Sequence, residues 1–323
     1  MTMPTSTFQT YNATGIREDL SDVIYDISPM DTYFFTNAAR MTAKQTRHDW
    51  QTDALDAAVA TNQAVEGDDF GASAITATTK LSNYTNIARK DFMVSRTMNK
   101  VNTAGRKQEL AYQIVRKGKA LKRDIEAHAV QNKAATAGAS ASARVAASVE
   151  TWIYTTNHVS GTSQTTNTTP APVSGVAATA GTDGTAEAFT ETILKSALQA
   201  AWSAGGDVDV ILLGPTLKNK LDTFTGIATR FRNVAAGQQA DIVGAADVYV
   251  SSYGSHKVVL SRYMRSTCVL CLDMSTWGIA WLDPIQIVEI AKSGDSEKRM
   301  IVGEYTIVAK SPTANAKLTG MTA

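Results

Sequence analysis

The sequence has few of the features that mark secreted, membrane-spanning or disulfide-rich proteins. Two cysteines in 323 residues give no disulfide framework, which is typical of a protein kept in a reducing compartment. The residues before Arg17 carry no positive charge and no apolar stretch, so they do not form a secretory signal. Apolar runs such as Val210–Leu213 are too short to cross a bilayer. We therefore predict a protein made in the cytoplasm, without a membrane partner.

A strong excess of one charge is also missing. The chain has 31 basic and 30 acidic residues, whereas a protein that mainly grips nucleic acid usually carries a basic excess. Neither a Gly-x-Ser-x-Gly motif, a phosphate-binding glycine pattern nor a His-Glu-x-x-His motif occurs, and the four histidines lie far apart. We predict no catalytic residue, no cofactor and no metal site.

The Cys268-Val-Leu-Cys271 spacing is the strongest candidate for a redox or zinc motif. These residues lie within a predicted strand, where positions i and i+3 face opposite sides of a sheet. Their Cα atoms are then about 10 Å apart, beyond the roughly 7 Å limit for a disulfide. We therefore predict that both cysteines pack as inert core residues.

The first 96 residues hold segments that cannot build a core alone. A short amphipathic helix with Leu20, Ile24 and Ile27 on one face is closed by Pro29, because a helix does not continue through proline. Two strand-like segments, 47–55 and 81–95, then flank a stretch of small and polar residues. Because residues 1–45 and 46–96 lack a core of their own, we predict that their contacts are mainly to neighbouring subunits. Residues 46–96 are predicted to form an extended hairpin, which would be marginal in water if it were isolated.

Three hairpin residues are candidate contacts between subunits: Trp50, Asp49 and Tyr84. Trp50 is the one large aromatic side chain in its polar segment, and tryptophan is a common interface hot spot.

The segment from 105 to 133 is the clearest helix. Leu110, Ile114, Leu121 and Ile125 form one stripe, with Gly118 on the same stripe where a partner approaches. This helix also carries the basic residues Arg116, Lys119 and Arg123. A solvated helix face with i,i+4 pairing accounts for most of this basic cluster.

The rest of the chain predicts a mixture of helices and strands. A threonine-rich stretch, 155–186, reads as a surface insertion, and a helix over about 190–204 turns Trp202 inward with its other apolar residues. A buried strand follows at 208–213, then a helix that begins at Pro215. From 246 onward the pattern is of strands, including Trp277–Leu282 and Gln286–Ala291. The fold class is therefore α+β.

Several short segments, in this order, resemble tailed-bacteriophage major capsid proteins, whose fold is shared with encapsulin shells. They include REDLSDVIYDISPMDT, HDWQTDAL, KRDIE, AWSAGGDVDVILLGP and GDSEKRMIVGEYTIV. The resemblance implies an N-terminal arm (1–45), an extended hairpin loop (46–96), a peripheral domain with a spine helix and the threonine-rich insertion (97–235), and an axial domain with returning peripheral strands (236–323).

The implied function is self-assembly as pentamers and hexamers into an icosahedral shell around double-stranded DNA. Implied partners are other copies of the chain, the packaged DNA, and scaffolding, portal and decoration proteins. The resemblance also places the long helix near the inner surface of the shell, which makes Arg116, Lys119 and Arg123 candidate inner-surface residues that face DNA. The virion is the implied location. An encapsulin-type compartment and an α+β enzyme with a site between domains are the alternatives.

Overall fold

The structure, a computed structural model, describes residues 31–63, 65–67, 71, 75–101, 108–154, 158–159, 169–224, 248–292 and 294–323. Its helices are α1 (Tyr33–Asn37), α2 (Arg96–Lys100), α3 (Glu109–Val130), α4 (Val149–Trp152), α5 (Glu191–Ser203) and α6 (Pro215–Asp222). Its strands are β1 (Ala39–Thr42), β2 (Arg47–Thr52), β3 (Thr79–Tyr84), β4 (Asn86–Ser95), β5 (His158–Val159), β6 (Glu187–Ala188), β7 (Val210–Leu213), β8 (Val248–Ser251), β9 (Gly254–Leu260), β10 (Val269–Leu272), β11 (Trp277–Ile290), β12 (Ser296–Ala309), β13 (Ala316–Leu318) and β14 (Met321–Thr322). None of these helices is long and apolar enough to cross a membrane.

The first layer is a four-stranded sheet in the order β1-β11-β12-β4, with α3 packed against it. The segments predicted as separate strands, Trp277–Leu282 and Gln286–Ala291, are one strand, β11, whose pairing with β12 shifts register between Trp281 and Gln286. Pro284 lies at this irregularity and supplies no backbone donor, so the ladder is interrupted without ending the strand.

The second layer is a six-stranded sheet in the order β5-β13-β10-β7-β9-β8. Helix α5 covers it with a buried apolar stripe that includes Ile193, Leu194 and Leu198. Trp202 does not belong to that stripe: it is 60% exposed, so the prediction that it points inward was wrong. It lies one position after Ala201, and the helical turn rotates it away from the buried side.

Strand β10 separates two apolar cores. Leu270, Leu272 and Cys268, which directly precedes the strand, belong to the core shared with the first layer. Val269 and Cys271 belong to the core under α5. The prediction that the two cysteines face opposite sides is confirmed, and both are buried free thiols.

Helix α3 has 22 residues and is therefore about 33 Å long. Leu121 and Ile125 are buried against the sheet, as the stripe predicted. At Gly118 an added Cβ would lie 4.0 Å from Ile301 Cδ1, so β12 is the partner that approaches this position. The helix ends at Val130, three residues before the predicted end.

The described part of the arm belongs to the core of its own subunit. Phe34 is fully buried, and β1 pairs in parallel with β11. The Glu126 carboxylate of α3 accepts hydrogen bonds from the backbone N–H groups of Phe34 (3.0 Å) and Phe35 (2.7 Å). The expectation that the whole arm lies mainly against neighbours is therefore wrong for residues 33–42. The predicted helix with Leu20, Ile24 and Ile27 lies outside the described residues.

Three further predictions about the segments of the chain need correction. The segment 81–95 is two strands broken at Thr85, and β4 leaves the hairpin to join the four-stranded sheet. The predicted division at residue 235 falls between β7 and β8, which belong to one sheet. The threonine-rich insertion is not only a surface loop: His158 pairs with β13 and Thr169 is buried.

Candidate assembly surfaces

The extended hairpin is built from β2 and β3, which pair antiparallel from Arg47–Tyr84 to Thr52–Thr79. Along β2, exposed residues alternate with partly buried ones, as expected for a strand with one face on a core. The paired strands form the base of the hairpin, and we call the connection from 53 to 78 its tip.

Trp50 fixes the base to its own subunit. Its indole Nε1 donates a hydrogen bond to the Ala309 carbonyl at 2.9 Å, and its ring lies 5.3 Å from that of Trp152. Trp50 is half-buried and packs against the core shared with the first layer, which we call the principal core. The structure therefore gives Trp50 a role inside the subunit, and its contact with a neighbouring subunit stays a prediction.

Asn83 is a second attachment of the base, and it is fully buried. Its Nδ2 donates to the carbonyls of Ile307 (2.8 Å) and Ala147 (3.2 Å), while its Oδ1 accepts from the N–H of Ala147 (2.8 Å). One amide side chain thus joins the hairpin to β12 and to the loop that precedes α4. Sequence reasoning missed this residue, because its partners are 64 and 224 positions away along the chain.

Asp49 and Tyr84 also have partners within the subunit. The exposed carboxylate of Asp49 lies 2.6 Å from Lys80 Nζ and 3.2 Å from Arg47 Nε, and the hydrogen bond with Lys80 is the main cause of its lowered pKa. Tyr84 is half-buried against the principal core. Their predicted contacts with neighbouring subunits remain predictions.

The tip has the opposite character from the base. Leu55 is 99% exposed and Ile75 is 98% exposed, and Val59 and Val65 are also largely in solvent. Every residue with a formal charge from position 53 to 79 is acidic: Asp53, Asp56, Glu66, Asp68 and Asp69. The described tip residues are all exposed, so the rest of the described chain does not cover their apolar side chains.

The basic residues of α3 form a contrasting run. Between 110 and 123 every residue with a formal charge is basic: Arg116, Lys117, Lys119, Lys122 and Arg123. Arg116 is exposed and Lys119 is half-buried, whereas the guanidinium of Arg123 donates to the Tyr263 hydroxyl at 2.8 Å and lies 5.9 Å from that ring. The near-neutral total charge thus conceals an acidic segment and a basic segment.

The four-stranded sheet offers one more surface. On β4, Ala88 and Phe92 face the core, while Ile87 and Met93 on the other side are 55% and 62% exposed. Ile290 shares the side of Met93, because both pair with Lys298 of β12. This apolar sheet face is open in the isolated subunit.

A family model described as the SU10 major capsid protein matches residues 3–322. The chain belongs to this family. It is therefore a structural component of a phage virion, and the predicted resemblance to phage major capsid proteins is confirmed.

Individual relatives agree with the SU10 major capsid protein assignment. The major capsid protein of Escherichia phage Phieco32 is 26% identical, over 96% of each chain. The fold is similar to that of the Cyanophage A-1(L) capsid asymmetric unit, with a TM-score of 0.64 and 14% identity over 98% of this chain and 99% of that one. The capsid of a native GTA particle gives a TM-score of 0.64 at 11% identity, over 97% and 98%. These likenesses confirm the α+β capsid fold.

Buried polar groups in this SU10-type capsid protein serve packing. Lys317 is fully buried, and its Nζ donates to the Glu150 carbonyl (2.8 Å) and the Thr169 hydroxyl (2.6 Å). Burial lowers the pKa of Lys317 to about 8 and the pKa of His158 to about 3. Among the described residues, no group of three or more His, Cys, Asp or Glu side chains is placed to hold a metal ion.

Proposed function

We propose that this subunit assembles as pentamers and hexamers into an icosahedral shell that encloses double-stranded DNA. The observation that supports this most is the division of the hairpin. Its base is tied to the subunit through Trp50 and Asn83, while its tip exposes Leu55 and Ile75 almost completely. Exposed apolar side chains on a fixed projection are stabilised when another molecule covers them.

The partner of the tip is another copy of the same chain. The hairpin of one subunit would contact a different surface on the next subunit, which is a heterologous contact. Repeated heterologous contacts close into a ring when the rotation between neighbouring subunits permits it. In the assembled shell, the four-stranded layer with α3 is the peripheral domain and the six-stranded layer is the axial domain. The tip sequence has no basic residue, so an ion pair with its acidic side chains must involve a basic residue from outside the tip.

The basic run of α3 is proposed to face the interior, as the resemblance to capsid proteins implied for Arg116, Lys119 and Arg123. Packaged DNA would meet it without base-specific contacts, since lysine and arginine bind phosphates independently of sequence. The structure of the phage G major capsid protein includes decoration proteins. Decoration, scaffolding and portal proteins are proposed partners here, with synthesis in the host cytoplasm.

Electron microscopy of the purified protein tests the proposal. Closed shells or rings of five and six subunits are expected, and monodisperse monomers at all concentrations would contradict it. Nuclease-protected double-stranded DNA in particles from infected cells is expected for a genome shell. Particles that instead contain a cargo protein would favour an encapsulin-type compartment.

A further inference from the structure

Residues 169–183 of the threonine-rich insertion, which we call the bracket segment, run between the hairpin and the six-stranded sheet. At the hairpin, the N–H of Ser82 donates to the Gly175 carbonyl at 2.8 Å, and Ser82 pairs in parallel with Val176. This contact lies on the edge of β3 that β2 does not cover. The free edge of the hairpin base is thus held by the insertion.

The contact depends on a tight turn. Val173 and Val176 exchange two backbone hydrogen bonds of 3.0 Å, and the residues between them, Ser174 and Gly175, have φ values of 50° and 78°. A Cβ atom added to Gly175 would lie 2.2 Å from the Lys80 carbonyl oxygen. Only a residue without a side chain permits this approach of the two backbones.

The other end of the bracket segment is held by charged and polar groups. The Thr169 hydroxyl accepts from Lys317 of β13 at 2.6 Å, and both Asp183 carboxylate oxygens accept from Arg265 at 2.6 and 2.7 Å. Between these two points, the Asn132 side chain and the Gly181 backbone exchange hydrogen bonds of 2.6 and 3.2 Å. Asn132 lies two residues after the end of α3, so one segment joins the hairpin, the end of the helix and the sheet.

We infer that the bracket segment positions the hairpin for assembly, by fixing the direction of β2 and β3 relative to the six-stranded sheet and the end of α3. The tip lies far from the contacts that fix the base, so a small change in the direction of β2 and β3 causes a larger displacement of the tip. Rotating a strand of about 20 Å by about 10° moves its end by about 3–4 Å, enough to misplace the tip on a neighbour. This inference rests on the proposed assembly function.

Gly175→Asn tests the inference against a matched control, Gly205→Asn. Asparagine tolerates a positive φ better than other residues with a Cβ atom, so the conformational cost is small at both positions. Gly205 has φ +86°, and nothing lies within 4 Å of its added Cβ. Both variants therefore replace a glycine of positive φ by asparagine, and only in Gly175→Asn does the new side chain separate the turn from β3.

Two measurements are needed on each variant. Amide hydrogen exchange in unassembled subunits should accelerate at Ser82 by about tenfold or more in Gly175→Asn, because local opening of that contact becomes easier. Thr85, whose N–H donates to Thr46 within the hairpin at 2.8 Å, should stay protected. Electron microscopy should show open or misshapen particles for Gly175→Asn, with a thermal midpoint close to that of Gly205→Asn, and closed shells for Gly205→Asn and the parent.

Closed shells of normal diameter from Gly175→Asn, despite fast exchange at Ser82, would overturn the inference. Unchanged exchange at Ser82 would overturn it as well. If Gly175→Asn does not fold, Thr169→Val combined with Asp183→Asn weakens both attachments of the opposite end with little change of shape, and the same exchange and particle defects are expected. Normal shells from that variant would then refute the inference. Failure of the parent protein to form shells would instead refute the proposed function, while the exchange measurement still reports on the bracket segment.

Discussion

The base and the tip of the hairpin are neighbours in sequence and opposite in character. At the base, Trp50, Leu81 and Asn83 are wholly or partly buried by their own chain and find hydrogen-bond acceptors or apolar neighbours there. At the tip, Leu55 and Ile75 have almost complete exposure, and the residues with a formal charge are all acidic. The difference shows that the subunit provides the support for the hairpin, while nothing in the described part of the chain covers the apolar side chains of the tip.

The largest effect is expected at Trp50. We predict that Trp50→Ala lowers the free energy of unfolding of the subunit by about 3 kcal/mol, because it removes a large ring from the core margin and the bond to Ala309. Trp202→Ala is the matched control: that ring is 60% exposed, so a change of about 0.5 kcal/mol or less is expected. Denaturant unfolding of both variants measures the difference. Equal stabilities would show that Trp50 acts mainly between subunits, as the sequence first suggested.

A leucine occurs in both regions and allows the same substitution in each. Leu81 in the base is 5% exposed, so Leu81→Ala should cost about 2–3 kcal/mol of subunit stability. Leu55→Ala in the tip should leave that stability unchanged, since the side chain contacts solvent. Thermal unfolding of unassembled subunits compares the two. A comparable loss of stability in Leu55→Ala would mean that the tip packs on its own subunit, which would contradict the difference between base and tip.

Acid should weaken the six-stranded sheet, in which His158 lies. His158 is buried beside the Thr319 hydroxyl at 2.6 Å, and burial lowers its pKa to about 3. Between its ordinary pKa and this value, the unfolded chain binds a proton that the folded chain does not, so stability falls as pH falls. From pH 7 to pH 5 the loss should be about 1–2 kcal/mol. His158→Gln should reduce that slope without removing it, because burial also lowers the pKa of His128 to about 4. An unchanged slope would assign the acid sensitivity to other groups.

The smallest effect on the subunit is expected from the tip itself. Leu55→Ser combined with Ile75→Ser should change the free energy of unfolding by less than about 0.5 kcal/mol. It should nevertheless raise the subunit concentration at which shells form, because apolar surface that a neighbour covers is lost. The control is Thr61→Ser with Asn62→Ser, which also introduces two serines into the tip but removes no large apolar side chain. Shell formation at the parent concentration by the Leu55 and Ile75 variant would refute a role of these side chains in assembly.

Features with a regular period were predictable from the sequence. The stripe of α5 and the opposite orientation of Cys268 and Cys271 follow from helical and strand periodicity, and the structure bears them out. The orientation of Trp202 was predicted wrongly, because an apolar residue at the edge of a helical stripe can face either the core or the solvent. The order of short segments also carried the resemblance to capsid proteins, although each segment is weakly specific alone.

Long-range contacts were not predictable, because no local pattern encodes them. The buried Lys317 looks like any surface lysine in a polar segment, and only folding brings Glu150 and Thr169 to its ammonium group. The same holds for Glu126, which accepts bonds from residues more than 90 positions earlier. The division into layers was missed for a related reason: each sheet takes strands from both halves of the chain.

The burial of both thiols has a practical consequence. Cys268 and Cys271 are inaccessible, and burial raises the pKa of Cys271 to about 12, so neither side chain forms the reactive thiolate under mild conditions. A cysteine introduced at the exposed Gln63 would then be the one thiol of each subunit that reacts with a maleimide. A fluorophore or affinity group could be attached once per subunit without first removing the native cysteines.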